Sequence, residues 1–207
     1  MLERLSCSIL AGGDSSRFGS YKALAIINNK FLITHIIAKL ISLIPDIVIT
    51  VSNDKQERML RDAIKEFNVR IVIDKPLGIK APIVGFYTGL IESRNDYVLQ
   101  VACDMPNISI KCIKYMYEEV INHKYDAAIP KWNNHIEPLH AIYNRKKTIK
   151  VVEEVLYLDK RLDFRAVIDK ISNKIFIPIG GKCPEETFYN INYKYELLKL
   201  NLHCDDY

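Results

Sequence analysis

Apolar and polar positions follow two rhythms along the first half of the chain. Residues 5–10 (LSCSIL) form a short apolar run with the length of a buried strand. Residues 31–43 repeat apolar side chains at helical spacing and stop before Pro45. Residues 46–51 (DIVITV) are rich in β-branched side chains and predict a second strand. Residues 54–67 open on an acidic cap and read as an amphipathic helix. Residues 69–73 (VRIVI) predict a third strand, and residues 83–93, led by Pro82 at a first-turn position, a third helix. Residues 97–102 (YVLQVA) are a strand again.

This strand–helix alternation predicts a parallel sheet with helices on both faces. It continues through a helix at 109–123 and a strand at 126–130, then loosens. Strands are expected at 138–143 and 174–179, one or two helices across 145–170, and a terminal helix at 193–200. The looser second half predicts a mixed sheet with an antiparallel member. With 207 residues and no linker-like tract or repeat, a single domain over 1–207 is expected.

Composition narrows the classes. The chain is 49% hydrophobic and 26% charged, as expected of a soluble globular protein. A net charge of +4 suits an anionic small-molecule substrate and is too weak and scattered for nucleic-acid binding. The most apolar region is broken by His35, Lys39, Pro45 and Asp46, so no membrane span is predicted, and the N-terminal residues lack a signal-peptide core. Five cysteines, an odd number without CxxC spacing, argue against a disulfide framework or a zinc site and for a reducing compartment, with a cytoplasmic location expected. Cys7 and Cys103 read as buried small hydrophobes.

The chemistry starts at residues 10–24, LAGGDSSRFGSYKAL, directly after the first strand. Ligands of open α/β sheets bind beyond the carboxyl ends of the strands. Glycines there let backbone approach a phosphate, and a following cation neutralises its charge. The P-loop spacing is absent, because five residues separate Gly13 from Gly19 and Lys22 comes three after Gly19. The G-x-G-x-x-G dinucleotide spacing is absent as well. With Arg17, Gly19 and Lys22 following the glycine pair, phosphate binding outweighs a plain strand-to-helix turn.

That segment resembles the signature L-A-G-G-x-S-x-R-[MF]-G-x-x-K of the superfamily that transfers NMP from NTP, and most of all the MobA-type molybdenum cofactor guanylyltransferases. VACDMP (residues 101–106), PLHAIY (138–143) and FYNINYKYEL (188–197) are similar to further segments of that family, in the same order along the chain. The resemblance implies a three-layer α/β/α Rossmann-like nucleotidyltransferase fold. It implies transfer of GMP from GTP to the terminal phosphate of molybdopterin, with Mg²⁺ and release of pyrophosphate. Transfer of CMP to the same cofactor, a sugar-nucleotide reaction and a non-catalytic nucleotide-binding module are the alternatives. The joint presence of Lys22 and Asp104 speaks against the last. Cofactor-handling proteins and apo-molybdoenzymes are the implied protein partners.

The resemblance assigns residues individually. Leu10, Ala11, Gly12 and Gly13 contact the nucleotide, largely through backbone. Lys22 contacts the triphosphate and Arg17 steadies the transferred or leaving phosphates. Asp104 becomes the Mg²⁺ ligand, against a plainer reading as a helix cap. Asn53 and Asp74 follow strands and read by themselves as turn or cap residues; they align with nucleotide-binding positions, Asp74 on guanine or on ribose. Asn190 and Asn192 alternate on an extended segment and are placed near the metal or the acceptor phosphate. Two departures stand out: Ala81 occupies a glycine position of the family, where a positive φ would disfavour it, and Tyr193-Lys194-Tyr195 replaces T-P-E. His135 and His140 read as ordinary strand or loop histidines, and residues 145–150 (RKKTIK) as a solvated helix start.

Overall fold

A computed structural model describes residues 2–13, 19–193 and 196. Its main sheet contains β1 (Leu5–Leu10), β4 (Asp46–Val51), β5 (Arg70–Ile73), β6 (Tyr97–Ala102), β7 (Ala127–Trp132), β8 (His135–Ile136), β9 (His140–Asn144) and β10 (Lys174–Pro178). The strand order is β10-β7-β9-β6-β1-β4-β5, with β8 paired to β7. β9 runs antiparallel to both β6 and β7, whereas β10, β1, β4 and β5 pair in parallel with their neighbours. The mixed, mostly parallel sheet expected from the sequence is present.

Alternation along the strands divides the core in two. Leu5, Cys7 and Ile9 of β1 and Leu99 and Val101 of β6 face a cluster that takes in α1 (Leu32–Leu40), α2 (Asp54–Ala63) and α4 (Ile110–His123). Val98, Ala127 and Tyr143 face a second cluster with α3 (Pro82–Glu92), α5 (Arg145–Glu153) and α6 (Phe164–Lys170). The result is a three-layer α/β/α arrangement. α5 runs on into a π-helical turn, Glu154–Leu158.

The approach of α3 to the sheet depends on small residues. A Cβ on Gly89 would lie 1.9 Å from the Ser8 hydroxyl, and one on Gly85 would lie 3.1 Å from that of Thr50. Ser8 on β1, Thr50 on β4 and glycines one turn apart on α3 therefore set the distance between these layers. A side chain at position 89 would collide with Ser8, and one at position 85 would press on Thr50.

The central strands β1, β4 and β6 have the predicted bounds. The two-residue pair β2 (Ile26–Ile27) and β3 (Lys30–Phe31) was not predicted. Asn28 and Asn29, with φ of 48° and 61°, make the turn that a tight hairpin needs. The helix expected over 31–43 stops at Leu40, and that expected over 54–67 stops at Ala63, where Ile64 leaves helical geometry. The terminal helix expected at 193–200 falls almost wholly outside the described residues.

One expectation is overturned. Cys112 and Cys183 form a disulfide across 71 residues of chain. Sequence spacing carried no sign of it, because the fold brings the first turn of α4 against the loop at Gly180–Cys183. The cysteine argument for a reducing compartment goes with it. No described helix is long and apolar enough to cross a membrane.

Closing so long a loop restricts the unfolded chain. Reduction of Cys112–Cys183 is expected to lower unfolding stability by about 2–4 kcal/mol, read from urea titrations with and without dithiothreitol. Equal midpoints would show that the bond contributes nothing.

Candidate active site

Because β7 and β6 both run antiparallel to β9, β7 points the same way as β1, β4, β5 and β6. The carboxyl ends of all five strands therefore share one edge. The register places Leu10 of β1 beside Thr50 of β4 and Ala102 of β6, so their exit loops leave at one level. Two further bonds extend the ladder past the strands: Ala11 N–H donates to the Thr50 carbonyl at 2.9 Å, and Cys103 N–H to the Leu10 carbonyl at 3.0 Å.

The turn after β1 is braced through its carbonyls. The Tyr21 hydroxyl donates to the Ala11 carbonyl at 2.8 Å, and the Ser52 hydroxyl donates to that of Gly12. The Gln56 amide donates to the Gly12 carbonyl at 3.4 Å and to the Gly13 carbonyl at 3.3 Å. Burial, with Cys103 and Asp74 nearby, raises the Tyr21 phenol, which keeps its proton and remains a donor. Three successive carbonyl dipoles are thus engaged by the protein and do not face an incoming anion. Gly12 has no room for a side chain, since a Cβ would meet Ser52 at 2.5 Å; a Cβ on Gly13 would meet nothing within 4 Å. Gly19 adopts a φ of 73°.

Across from this turn, the Lys22 ammonium lies 3.0 Å from the Asp104 carboxylate and 3.4 Å from the Asn192 side-chain oxygen. Ile191 N–H donates to the Asp104 carbonyl at 2.9 Å, which docks the 190–192 segment onto the end of β6. Ile191 is buried while Asn190 and Asn192 are exposed on either side of it. The structure therefore gathers Lys22, Asp104 and Asn192 from three distant parts of the chain. Arg17 lies outside the described residues.

Asp74 follows β5, and its backbone N–H donates to Val51 at 2.8 Å. One carboxylate oxygen lies 3.4 Å from the Ser52 hydroxyl; the other is buried with no hydrogen-bond partner. Burial pushes its pKa up to about 6, against a lowering contribution from Ser52. Asn53 caps α2 by accepting from Gln56 N–H at 3.0 Å, as its plainer reading held. Ala81, at φ −154°, is ordinary extended backbone, so the alanine in place of glycine brings no strain.

Several residues here were not singled out in the sequence. Tyr21, Ser52 and Gln56 act through the backbone of the turn. Glu137 stands one residue before the PLHAIY segment, its carboxylate accepting from Leu139 N–H at 3.1 Å. Burial, and then the charge of Asp104, push its pKa up to about 7 despite that bond. His140 pairs in register with Val101, three residues before Asp104. It is fully buried, neither ring nitrogen has a partner, and burial lowers its pKa to about 4, so its ring is neutral.

Comparison with known proteins finds likeness in sequence and in fold. A family model for a MobA-like NTP transferase domain matches residues 7–175. A Pyrococcus horikoshii protein named "Probable molybdenum cofactor guanylyltransferase" is 36% identical over 200 residues, covering 94% of this chain and 97% of its own. A protein of the same name from Thermococcus sibiricus is 33% identical over 93% of this chain and 95% of its own. The crystal structure of molybdopterin-guanine dinucleotide biosynthesis protein A from Archaeoglobus fulgidus superposes with a TM-score of 0.76 at 22% identity, covering 94% of this chain and 95% of that one. That last likeness is one of fold.

Glu137 has a consequence for stability. Its pKa is raised in the fold from an ordinary 4.5 to about 7. Its contribution is therefore full below about pH 4.5 and is lost as pH rises through about 7. Glu137→Gln is expected to match the native protein in urea unfolding at pH 4.5 and to exceed it by about 2 kcal/mol at pH 8. Equal stability at both pH values would contradict the assignment.

Proposed function

From the premise that the chain belongs to the MobA-like NTP transferase domain family, we propose that it transfers GMP from GTP to the terminal phosphate of molybdopterin. The products are pyrophosphate and the guanine dinucleotide form of the cofactor. The observation that carries this reading is the Lys22–Asp104 pair, 3.0 Å apart, opposite a glycine turn whose carbonyls are all engaged.

The reaction forms a bond between an acceptor phosphate oxygen and the α-phosphorus of GTP and breaks the bond from that phosphorus to the bridging oxygen. Pyrophosphate leaves with the electron pair. The attacking oxygen is already anionic at neutral pH, so no proton needs to be removed. Positioning and charge neutralisation are the work left to the protein. In this reading the backbone of Leu10, Ala11, Gly12 and Gly13 lies along the triphosphate. Lys22 and Arg17 neutralise charge on it, as cations do at phosphates. Asn53 and Asp74 face the nucleoside, and Asn190 and Asn192 face the acceptor phosphate. The buried, partnerless oxygen of Asp74 is an acceptor that a base edge or a ribose hydroxyl would engage.

The donors at the pair suit Mg²⁺. Asp104 and Asn192 offer only oxygen, and among the described residues no group of three His, Cys, Asp or Glu side chains is placed to hold a metal alone. Mg²⁺ takes one or two carboxylates and fills its remaining positions with water and substrate phosphate. Asp104 would hold it, and when bound it would supply charge stabilisation at the phosphates.

The reading is tested by pyrophosphate release with molybdopterin, Mg²⁺ and each NTP in turn. GTP is expected to support turnover; CTP alone doing so would move the activity to cytidylyl transfer, and no turnover with any NTP would end the enzyme reading. Asp104→Ala is expected to lower kcat by about 100-fold or more and Lys22→Ala by about 100-fold, each with a cooperative unfolding transition. EDTA is expected to abolish turnover, and activity surviving in Asp104→Ala would remove the metal assignment. For Asp74→Asn, ITP and 2′-deoxy-GTP sort the two nucleoside contacts. A base contact is lost with ITP, a ribose contact with the deoxynucleotide.

A further inference from the structure

The sheet edge continues past the Lys22–Asp104 pair in the direction away from Asp74. The strand order puts β4 and β5, with Ser52 and Asp74, on one side of β1 and β6, and β9 and β7 on the other. An aromatic row occupies this second side. The His140 ring meets Phe188 edge to face at a centroid distance of 5.2 Å. Phe188 meets Trp132 at 6.2 Å, and Trp132 lies nearly parallel to His135, at 5.6 Å and 29°. The row begins beside Val101, just before Asp104, and ends on the β7–β8 hairpin. Its inner members are buried, whereas Trp132 is 37% exposed and His135 is exposed.

The hairpin holds the outer pair in place. Trp132 and His135 are register partners flanking Asn133, whose φ is 50°, and Glu137 N–H returns to the Pro130 carbonyl at 2.9 Å. A large ring left partly open at a sheet edge carrying a phosphate turn is not needed by the core: its buried neighbour Phe188 belongs to the first cluster, whereas Trp132 belongs to neither. Its open surface suits a flat heteroaromatic ring, which stacks on tryptophan without strict hydrogen-bond demands.

Resting on the guanylyl-transfer reading above, we propose that Trp132 and His135 form the platform on which the pterin ring system of the acceptor stacks. The acceptor then lies across β9 and β7, with its terminal phosphate at Lys22 and Asp104. Trp132 is about two strand spacings, roughly 10 Å sideways, from the end of β6. The guanosine lies on the opposite side, over β4 and β5. Donor and acceptor thus enter from the two sides of the β1–β6 exit, and neither occupies the other's path. Trp132 is a binding residue in this account. It sets acceptor affinity and takes no part in bond making.

Trp132 is the only tryptophan in the chain, so its emission reports the site directly. With the native protein, 6-hydroxymethylpterin phosphate is expected to quench that emission saturably, and GMP at the same concentration to leave it unchanged. With molybdopterin as acceptor, Trp132→Ala is expected to raise the acceptor KM about tenfold, with kcat and the GTP KM within about twofold of the native values. Trp132→Phe should recover most of the loss. Emission unmoved by the pterin, or a Trp132→Ala effect on the GTP KM in place of the acceptor KM, would overturn the proposal. The two readings fail separately. A native protein that releases no pyrophosphate from GTP and molybdopterin removes the guanylyl-transfer reading, while the quenching titration still decides whether Trp132 stacks a pterin.

Discussion

The site depends on one ion pair between residues far apart in the chain. Lys22 and Asp104 meet at 3.0 Å across 82 positions of sequence. They meet because β1 and β6 are adjacent and parallel, with Leu10 level with Ala102, and because the bond from Cys103 to Leu10 carries the ladder one step beyond the strands. The carboxylate is partly buried and shares its surroundings with Glu137, so a nearby cation offsets a charge that would otherwise be costly there. The Asn190–Asn192 segment is then fixed by a backbone bond to the same aspartate. The cysteine bridge at Cys183, a few residues earlier, anchors the approach to that segment on α4.

A second constraint acts at the Asp74 end of the sheet edge. α3 comes close enough to β1 for Gly89 to abut Ser8, and Gly85 lies against Thr50 and Asp74. Asp74 is enclosed as a result, and burial keeps its carboxyl above the usual carboxylate range. Small side chains on both layers therefore determine the electrostatics at the edge. The packing that holds the layers together also leaves a buried oxygen unsatisfied, and such an oxygen is costly unless a ligand pairs with it.

The sequence was most legible where burial is complete. β1, β4 and β6 are buried along almost their whole length, mostly by apolar side chains, and their bounds came out as predicted. Elements of two residues, such as the hairpin at Asn28 and Asn29, are too short to show a period. Contacts made only by the fold were illegible for a different reason. Cys112 and Cys183 have no telling spacing, and Glu137 lies one residue outside the PLHAIY segment and gains its altered acidity from burial and from Asp104. Asn53 shows the converse. Its local reading as a cap is what its side-chain oxygen does, while any contact with a nucleotide would be a further use of the same residue. Ala81, suspected because glycine is usual there, sits in backbone that any residue adopts.

In the proposed arrangement, one phosphate-holding centre lies at Lys22 and Asp104, with the guanosine on the β4–β5 side. A crystal structure with α,β-methylene GTP and Mg²⁺ tests it most directly. The predicted result is a triphosphate along the backbone of residues 11–13, in contact with Lys22, a metal ion on Asp104, and the nucleoside beside Asp74. Guanosine stacked on Trp132, or a metal ion bound away from Asp104, would contradict it.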